Sequence, residues 1–194
     1  LPICNECKGS ASDFRGSLLQ TGAGVSPADA DQAKCTVQSN GTQFVASFTA
    51  HKAGNYGLEV KVQGKHIYGS PFAVECRPGA LAPRKCRSSG SGLSNATPDV
   101  CSTFTIFAYD DYGNPRYGGD DLFTASLIGA GKTVRVQSTS LQTDGRADGA
   151  YVISYTLYTC GNYRMEVAAD GQEIPGSPFN VDVATRAAAP DKST

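Results

Sequence analysis

The sequence contains no tryptophan, one methionine and only two histidines in 194 residues. His51 and His66 both lie in the first half of the chain, and neither stands beside an acid-rich motif. A hydrolase needs a nucleophile, a general base and a group that orients the base, and too few candidates are present. The sequence therefore predicts a protein that is not an enzyme and that uses no cofactor or metal.

An excess of charge and a long apolar run are also missing. The 17 basic residues are balanced by 18 acidic ones and form no basic stripe, so nucleic acid is not an expected partner. No apolar run approaches the roughly 20 residues that cross a bilayer, so this segment is not expected to insert into a membrane. The first ten residues lack the charged and apolar regions of a signal peptide, which suggests that the numbering begins inside a longer precursor.

Cysteine, in contrast, is abundant, with seven residues, and two glycosylation sequons accompany it, at Asn40 and Asn95. Together these features favour an oxidising, secretory setting with disulfide bonds and glycans. The sequence thus predicts an extracellular or cell-surface glycoprotein. An intracellular protein with free thiols is the alternative.

The second half of the chain repeats the first at a fixed offset of 107 positions. The motif GNY occurs at 54–56 and again at 161–163, and GSPF occurs at 69–72 and again at 176–179. Between residues 54 and 74, 12 of 21 positions are identical to their counterparts without a gap. This period is too long for a solenoid unit and indicates two small sandwich domains in tandem.

Apolar residues alternate with polar ones in both copies, which is typical of strands with one face toward a core. No stretch has helical spacing, so the predicted fold class is all-β. The residues predicted to face the core are Phe44, Ala46, Phe48, Tyr56, Leu58, Val60, Val62, Phe72 and Val74 in the first copy, and Phe104, Ile106, Ala108, Tyr151, Ile153, Tyr155, Tyr163, Met165, Val167, Ala169, Phe179 and Val181 in the second.

The repeated motifs indicate the turns that flank one strand. Tyr56 and Tyr163 follow a glycine-asparagine turn, and their hydroxyl groups can bond back to that turn as in a tyrosine corner. Pro71 and Pro178 cannot donate to a ladder and are expected at the start of the last strand.

Four motifs in the second copy are similar to those of the filamin-type immunoglobulin repeat: DDYGNP at 110–115, GAY at 149–151, CGNYRMEV at 160–167 and IPGSPFNVDV at 174–183. The resemblance implies a seven-stranded β-sandwich of roughly 100 residues. It also implies a structural and protein-interaction module. Repeats of this kind that carry cysteines and sequons resemble those of adhesion and gamete-surface proteins of plants and green algae.

The resemblance divides the chain into a partial repeat at 1–77, a linker at 78–84, a complete repeat at 85–185 and a flexible tail at 186–194. The first copy has no counterpart of the first two strands, because their positions fall before or at residue 1. Either these strands belong to a preceding segment or another segment completes the sheet.

Two disulfide bonds follow from the sandwich that the resemblance implies. Strands B and F run in the same direction, so a bridge can join Cys101 at the start of B to Cys160 just before F. A bridge between Cys76 and Cys86 would stiffen the linker. Three cysteines remain, so one thiol is left over; these are Cys4, Cys7 and Cys35.

Three motifs allow other chemistry but lack its context. Cys4 and Cys7 have the spacing of a zinc or redox pair, without a second pair or a following helix. GAGKT at 129–133 ends like a phosphate loop, but the first glycine of that motif is missing, and a strand rather than a helix follows. The acidic pairs at 110–111 and 120–121 would need to converge to bind calcium, and a solvated turn is the expected structure.

In the filamin-type family, a groove between strands C and D accepts a partner strand by β-augmentation. The resemblance assigns these strands to 122–128 and 132–138 in the second copy, and to 14–20 and 34–39 in the first. A glycan on Asn40 would crowd the first groove, so the second is the predicted partner site. Its candidate residues are Leu122, Thr124, Ser126, Lys132, Val134 and Val136.

The sequence thus predicts a non-enzymatic module for cell adhesion or surface scaffolding that binds a protein partner and neighbouring repeats. An intracellular cytoskeletal or ciliary scaffold module is the first alternative. A carbohydrate-binding accessory sandwich is the second, although the absence of tryptophan and the predicted inward orientation of three tyrosines leave few aromatic groups for a sugar platform.

Overall fold

A computed structural model describes residues 14–21, 35–39, 43–117, 121–137 and 149–184. The chain forms two compact units, Leu1–Pro78 and Gly79–Thr194. Within the described ranges the regular elements are β-strands and two short 3₁₀ turns, which confirms the all-β prediction. No helix in these ranges is long and apolar enough to span a membrane.

The first unit contains six described strands in two sheets. In one sheet β4 lies between β1 on one side and β5 and β6 on the other, and in the second sheet β2 pairs with β3. The strands are β1 (Phe14–Thr21), β2 (Cys35–Ser39), β3 (Phe44–Phe48), β4 (Gly54–Val62), β5 (Lys65–His66) and β6 (Phe72–Cys76).

The second unit is a sandwich of two sheets, with strand orders β11-β10-β13-β15-β8 and β12-β9-β7, and β14 pairs with β13. All pairs are antiparallel except β15 with β8. The strands are β7 (Arg87–Ser89), β8 (Asn95–Ala96), β9 (Cys101–Phe107), β10 (Phe123–Gly129), β11 (Lys132–Gln137), β12 (Ala150–Thr156), β13 (Gly161–Ala169), β14 (Gln172–Glu173) and β15 (Phe179–Val183). The 3₁₀ turns are Pro83–Lys85 and Ser91–Leu93.

The core of the second unit consists of the alternating residues that the sequence predicts. Phe104, Ile106 and Ala108 on and just after β9 are at most 1% exposed. Tyr151 and Ile153 on β12 are buried equally well, and the facing rows of β10, β13 and β15 join them in one cluster. Burial of such a row stabilises the sandwich, because removing each large apolar side chain from water contributes about 1.5–3 kcal/mol to the free energy of folding.

The corresponding row of the first unit is less buried. Phe44 and Ala46 on β3 are half-buried, and Phe48 is 39% exposed. The counterparts of these residues in the second unit lie on β12, which pairs with β9. In the first unit, no described strand pairs with β3 on the side opposite β2. The prediction of an inward row is therefore confirmed for the second copy and holds only in part for the first.

Both predicted tyrosine corners are present. The Tyr56 hydroxyl donates to the Lys52 carbonyl at 2.6 Å, and the Tyr163 hydroxyl donates to the Thr159 carbonyl at 3.1 Å. Each tyrosine ring is buried beneath the turn that precedes its strand. The repeated GNY motif thus fixes the entry of the chain into β4 and β13.

The repeated GSPF motif fixes the entry into the last strand. The Ser70 hydroxyl oxygen accepts the Val60 N–H at 2.9 Å, and the Ser177 hydroxyl oxygen accepts the Val167 N–H at 3.0 Å. The glycine that opens each motif has a positive φ, 83° or 90°, a conformation that favours glycine. The proline that follows each serine comes just before β6 or β15, as predicted.

Most of the predicted linker at 78–84 is bonded into the second unit. The Gly79 N–H donates to Asp110 Oδ2 at 2.8 Å, and the Ala82 N–H donates to the Tyr109 carbonyl at 2.9 Å. Ala82 is only 5% exposed. The second unit therefore begins at Gly79, earlier than the sequence indicates.

Asp110 organises this end of the second unit. It is 2% exposed, and its carboxylate accepts hydrogen bonds at 2.8–2.9 Å from the Gly79, Tyr112 and Asn114 backbone N–H groups and from Asn114 Nδ2. Burial is the largest influence on its pKa and would raise it, but the hydrogen bonds from these donors together lower the pKa below its usual value. The DDYGNP motif thus supplies a buried structural acceptor.

A second polar group lies beside it. The Arg116 guanidinium forms an ion pair with Asp121, with Nη2–Oδ1 at 2.8 Å, and the Tyr151 hydroxyl donates to Asp121 Oδ2 at 3.0 Å. Arg116 also donates to the Gly79 carbonyl. Hydrogen bonding to Asp121 raises the pKa of Arg116, and burial raises the pKa of Tyr151 to about 12.

Replacing Tyr163 by phenylalanine removes the corner hydrogen bond and keeps the buried ring. We expect the free energy of unfolding of the second unit to fall by about 1 kcal/mol, measured by urea denaturation. The matched control is Tyr158→Phe, because Tyr158 is 75% exposed, and it should change stability by less than about 0.5 kcal/mol. Equal effects of the two substitutions would contradict the assigned role of the corner.

Replacing Asp110 by asparagine places an amide donor opposite N–H donors. We expect a loss of about 2 kcal/mol in the free energy of unfolding, whereas Asp111→Asn, at an exposed ion pair with Arg84, should have little effect. The folded-state pKa of Asp110 is lowered, so its stabilisation is complete above the ordinary value of about 3.9 and is lost as pH falls through the folded-state pKa. The difference in the free energy of unfolding between wild type and Asp110→Asn should therefore shrink below about pH 4. A difference that does not change with pH would refute this role of Asp110.

Candidate strand-docking edge of the second unit

Strands β10 and β11 form a hydrogen-bonded hairpin. Their register runs from Thr124 opposite Gln137 to Gly129 opposite Lys132. The two turn residues have φ values of +48° and +71°, as in a type I′ turn, which holds the following strand against the preceding one. The prediction of an open groove between strands C and D is therefore wrong for the second copy, because β10 and β11 are joined directly by ladder hydrogen bonds.

The first copy arranges the same two strands differently. There β2 pairs with β3, with Cys35 opposite Phe48, and β1 pairs with β4. Residues 22–34 separate β1 from β2, whereas only two residues separate β10 from β11. A connection of two residues requires antiparallel pairing of its flanking strands, and a longer one permits the strand to join the opposite sheet.

The outer side of β11 is a sheet edge, since no described strand pairs with it. Gly129 and Lys132 flank the two-residue turn and form a hydrogen-bonded pair. From that pair onward, successive residues of β11 direct their backbone N–H and C=O groups alternately toward β10 and away from it. The backbone N–H and C=O groups of Thr133 and Arg135 therefore point away from β10. They form a row that an added strand can pair with.

The predicted partner-site residues fall into four groups. Leu122 is 48% exposed and lies just before β10, which begins at Phe123. The polar pair Thr124 and Ser126 is half-buried on the outer face of β10, and Lys132 is exposed. The remaining two, Val134 and Val136, share one face of β11 by alternation and pack against the core, so they face inward and not toward a partner.

The edge is positively charged. Lys132 and Arg135 are both exposed on β11. Arg135 lies opposite Ser126, which in turn lies opposite Glu166 on β13. Glu166 already pairs with Arg164. The sequence prediction did not include Arg135. It was based on Val134 and Val136, and Arg135 lies on the opposite face of the strand.

Asn95, one of the two predicted glycosylation sites, lies on β8 and is exposed. Its Nδ2 donates to Ser94 Oγ at 2.9 Å. It lines a surface cleft of about 300 Å³ together with Cys101. The other site, Asn40, lies outside the described residues.

The predicted bridge between Cys101 and Cys160 joins two exposed residues at one end of the sandwich. Both are free thiols in the structure. Cys101 lies opposite Thr156, the last residue of β12, and Cys160 follows four residues later. This bridge stays a prediction.

Cys86, one of the two cysteines of the second predicted bridge, is buried in the second unit. Cys86 is 1% exposed, its thiol donates to the Ala82 carbonyl at 3.6 Å, and burial raises its pKa. A thiol with a raised pKa reacts slowly because the thiolate is the nucleophile. Cys76 is half-buried and also a free thiol, and this bridge too stays a prediction. Cys4 and Cys7 lie outside the described residues.

Comparison with known families and proteins agrees with this architecture. The profile of the Filamin/ABP280 repeat matches residues 5–73 and 80–180. Filamin-C of Rattus norvegicus is 26% identical over 170 residues, which cover 87% of this chain and 6% of Filamin-C. E3 ubiquitin-protein ligase TRIM71 of Bos taurus is 32% identical over 105 residues, 54% of this chain and 12% of the ligase. The chain thus spans only a small part of each relative.

Among solved structures, FdeC, an adhesin of Escherichia coli, superposes with a TM-score of 0.61 at 20% identity, covering 89% of this chain and 53% of that one. At this level of identity the likeness concerns the fold alone. The family profile, in contrast, covers both copies of the duplicated sequence. The chain therefore belongs to the Filamin/ABP280 repeat family, whose repeats are structural and protein-interaction modules.

Proposed function

We propose that the chain is an adhesion or scaffolding module of an extracellular or cell-surface protein, and that it binds an extended partner strand at the outer edge of β11. The observation that carries the proposal is the row of outward backbone groups at Thr133 and Arg135. Main-chain pairing at such an edge supplies affinity, and the alternating side chains of the added strand supply specificity.

The charge of the edge indicates the character of the partner. Lys132 and Arg135 discourage pairing between copies of the same edge, because like charges would meet. They favour a partner strand with acidic side chains, since opposite charges on neighbouring strands contribute about 0.2–1 kcal/mol per pair. The partner strand is therefore acidic at the positions beside Arg135.

The extracellular setting is supported by the surface of the second unit. Asn95 is exposed within a complete sequon, so a glycan can be attached without unfolding. Cys101 and Cys160 are also exposed, and a bridge between them would close a loop of about 60 residues, worth roughly 3–4 kcal/mol in the chain-entropy model.

An intracellular cytoskeletal scaffold module is the second candidate, and the similarity to Filamin-C over 87% of the chain favours it. A carbohydrate-binding sandwich could not use Tyr151, Tyr155 or Tyr163 as a sugar platform, because these rings are at most 4% exposed.

Strand capture is tested with a fluorescent eight-residue peptide that alternates valine and glutamate, measured by anisotropy on the whole chain. Arg135→Pro removes an outward N–H while the ladder to β10 stays intact, and we expect it to weaken binding at least about tenfold, or 1.4 kcal/mol. Arg135→Ala keeps the N–H and removes the charge, so binding should weaken less and lose part of its salt dependence.

A peptide that alternates valine and lysine is the control for charge and should bind more weakly than the glutamate peptide. Equal binding of the glutamate peptide to wild type and to Arg135→Pro would remove β11 as the docking edge. Substitutions of Val134 or Val136 are unsuitable because these residues pack on the core and their loss would test folding.

The setting is tested by mass spectrometry of the protein isolated from its own cells. We expect a glycan on Asn95 and a disulfide bond between Cys101 and Cys160. An unmodified Asn95 together with reduced thiols would favour the intracellular candidate and count against the cell-surface one.

A further inference from the structure

The sheet formed by β12, β9 and β7 carries aromatic side chains on its outer face. Since Phe104, Ile106 and Ala108 face the core, alternation directs Phe107 and Tyr109 outward. The two outward residues are half-buried, whereas the three inward ones are at most 1% exposed. Aromatic rings on the solvent side of a sheet indicate a binding surface, because such rings are otherwise buried.

The aromatic row continues on the segment that follows β9. Tyr109 forms a β-bridge with Pro115, and the Arg116 N–H donates to the Ala108 carbonyl at 3.0 Å. Pro115 therefore lies beside Tyr109, and alternation places Tyr117 on the same side as Pro115. Tyr117 is 40% exposed. The aromatic patch of this face thus consists of Phe107, Tyr109 and Tyr117.

Arg87 lies at the aromatic patch. It is exposed on β7 opposite Phe107, and its guanidinium lies over the Tyr109 ring, 5.9 Å from the ring centroid. A guanidinium that stacks on a ring keeps the N–H groups at its rim for another partner, and their geometry matches a carboxylate. Among the ion pairs of the described residues none involves Arg87, whereas its neighbour Arg84 pairs with Asp111. The patch therefore offers a preorganised arginine to an anion.

The rest of the outer face carries hydroxyl groups. Ser89 on β7 lies opposite Thr105, and Ser154 on β12 lies opposite Thr103. These four residues are exposed or half-buried. Serine is depleted in protein–protein interfaces, and a hydroxyl group both donates and accepts hydrogen bonds, as the hydroxyl groups of a sugar do. The combination favours a polyhydroxylated ligand over a protein surface.

We propose that the outer face of the β12-β9-β7 sheet binds an acidic glycan, in which sugar rings carry carboxylate groups. One sugar ring packs its C–H face on Tyr117, its carboxylate binds Arg87, and neighbouring sugars bond to Thr103 and Ser154. From Thr103 to Tyr109 the strand spans about 20 Å, which accommodates a short oligosaccharide. The site lies on the sheet opposite the one that contains β11, and it does not depend on strand capture at that edge.

The charge requirement is tested with a short oligomer of galacturonic acid. The control ligand is the same oligomer as its methyl ester, which keeps the sugar rings and removes the charge. Both are titrated into the whole chain by calorimetry at low ionic strength. We expect the ester to bind at least about tenfold more weakly than the acid, because the charge-assisted hydrogen bonds to Arg87 are lost.

The position of the site is tested with two variants. Arg87→Lys keeps the charge and removes the planar fork, and Tyr117→Ala removes the ring; each should weaken binding of the acid oligomer at least about fivefold. The matched controls are Arg164→Lys, at an exposed arginine of β13 on the other sheet, and Tyr158→Ala, at a tyrosine that is 75% exposed. Both should leave binding unchanged, and urea denaturation checks that every variant is folded.

Equal binding of the acid and the ester, or no binding of the acid, would overturn the proposal. Unchanged binding to folded Arg87→Lys or Tyr117→Ala would do the same, as would equal weakening in the two control variants. A peptide that alternates glutamate and proline is the rival ligand, since aromatic surfaces also bind proline-rich segments. Tighter binding of this peptide than of the acid oligomer, with loss in Tyr117→Ala, would assign the face to a protein partner and reject the glycan.

Discussion

Every strand in a two-sheet sandwich has an apolar face that only the opposite sheet and the neighbouring strands can cover. In the second unit this condition is met: the β9 side chains Phe104 and Ile106 lie beside the row of Tyr151 and Ile153, and all four are at most 1% exposed. In the first unit the equivalent of β9 is not among the described strands, and its rows stay half-exposed. Among the described residues, the burial of such a row thus depends on the strand that lies beside it.

The candidate β11 edge arises because a two-residue turn holds this strand on β10, which leaves its own outer backbone groups to a partner. This edge is cationic, since Lys132 and Arg135 are both exposed on β11.

The fold was largely predictable from the sequence because its determinants are local and occur twice. The corner hydroxyls of Tyr56 and Tyr163 follow from a turn and the next residue, and alternation identifies the inward rows directly. The partner of strand D was not predictable in this way, since it depends on the length of a connection and on competition between two sheets. The buried role of Asp110 was also missed, because its donors include Gly79, 31 residues earlier, and no local pattern announces such a contact. In the candidate site, alternation placed Val134 and Val136 on one face but could not say that this face was the inner one.

The most direct test of the account is amide hydrogen exchange along β11, in which Arg135 is compared with its neighbour Val134, whose N–H bonds to β10. Taking the ratio within one strand removes any effect of the overall stability of the unit. We predict that Val134 is protected, whereas Arg135 exchanges much faster in the free protein. Equal exchange of the two amides would show that the outer edge of β11 is covered and would contradict the account.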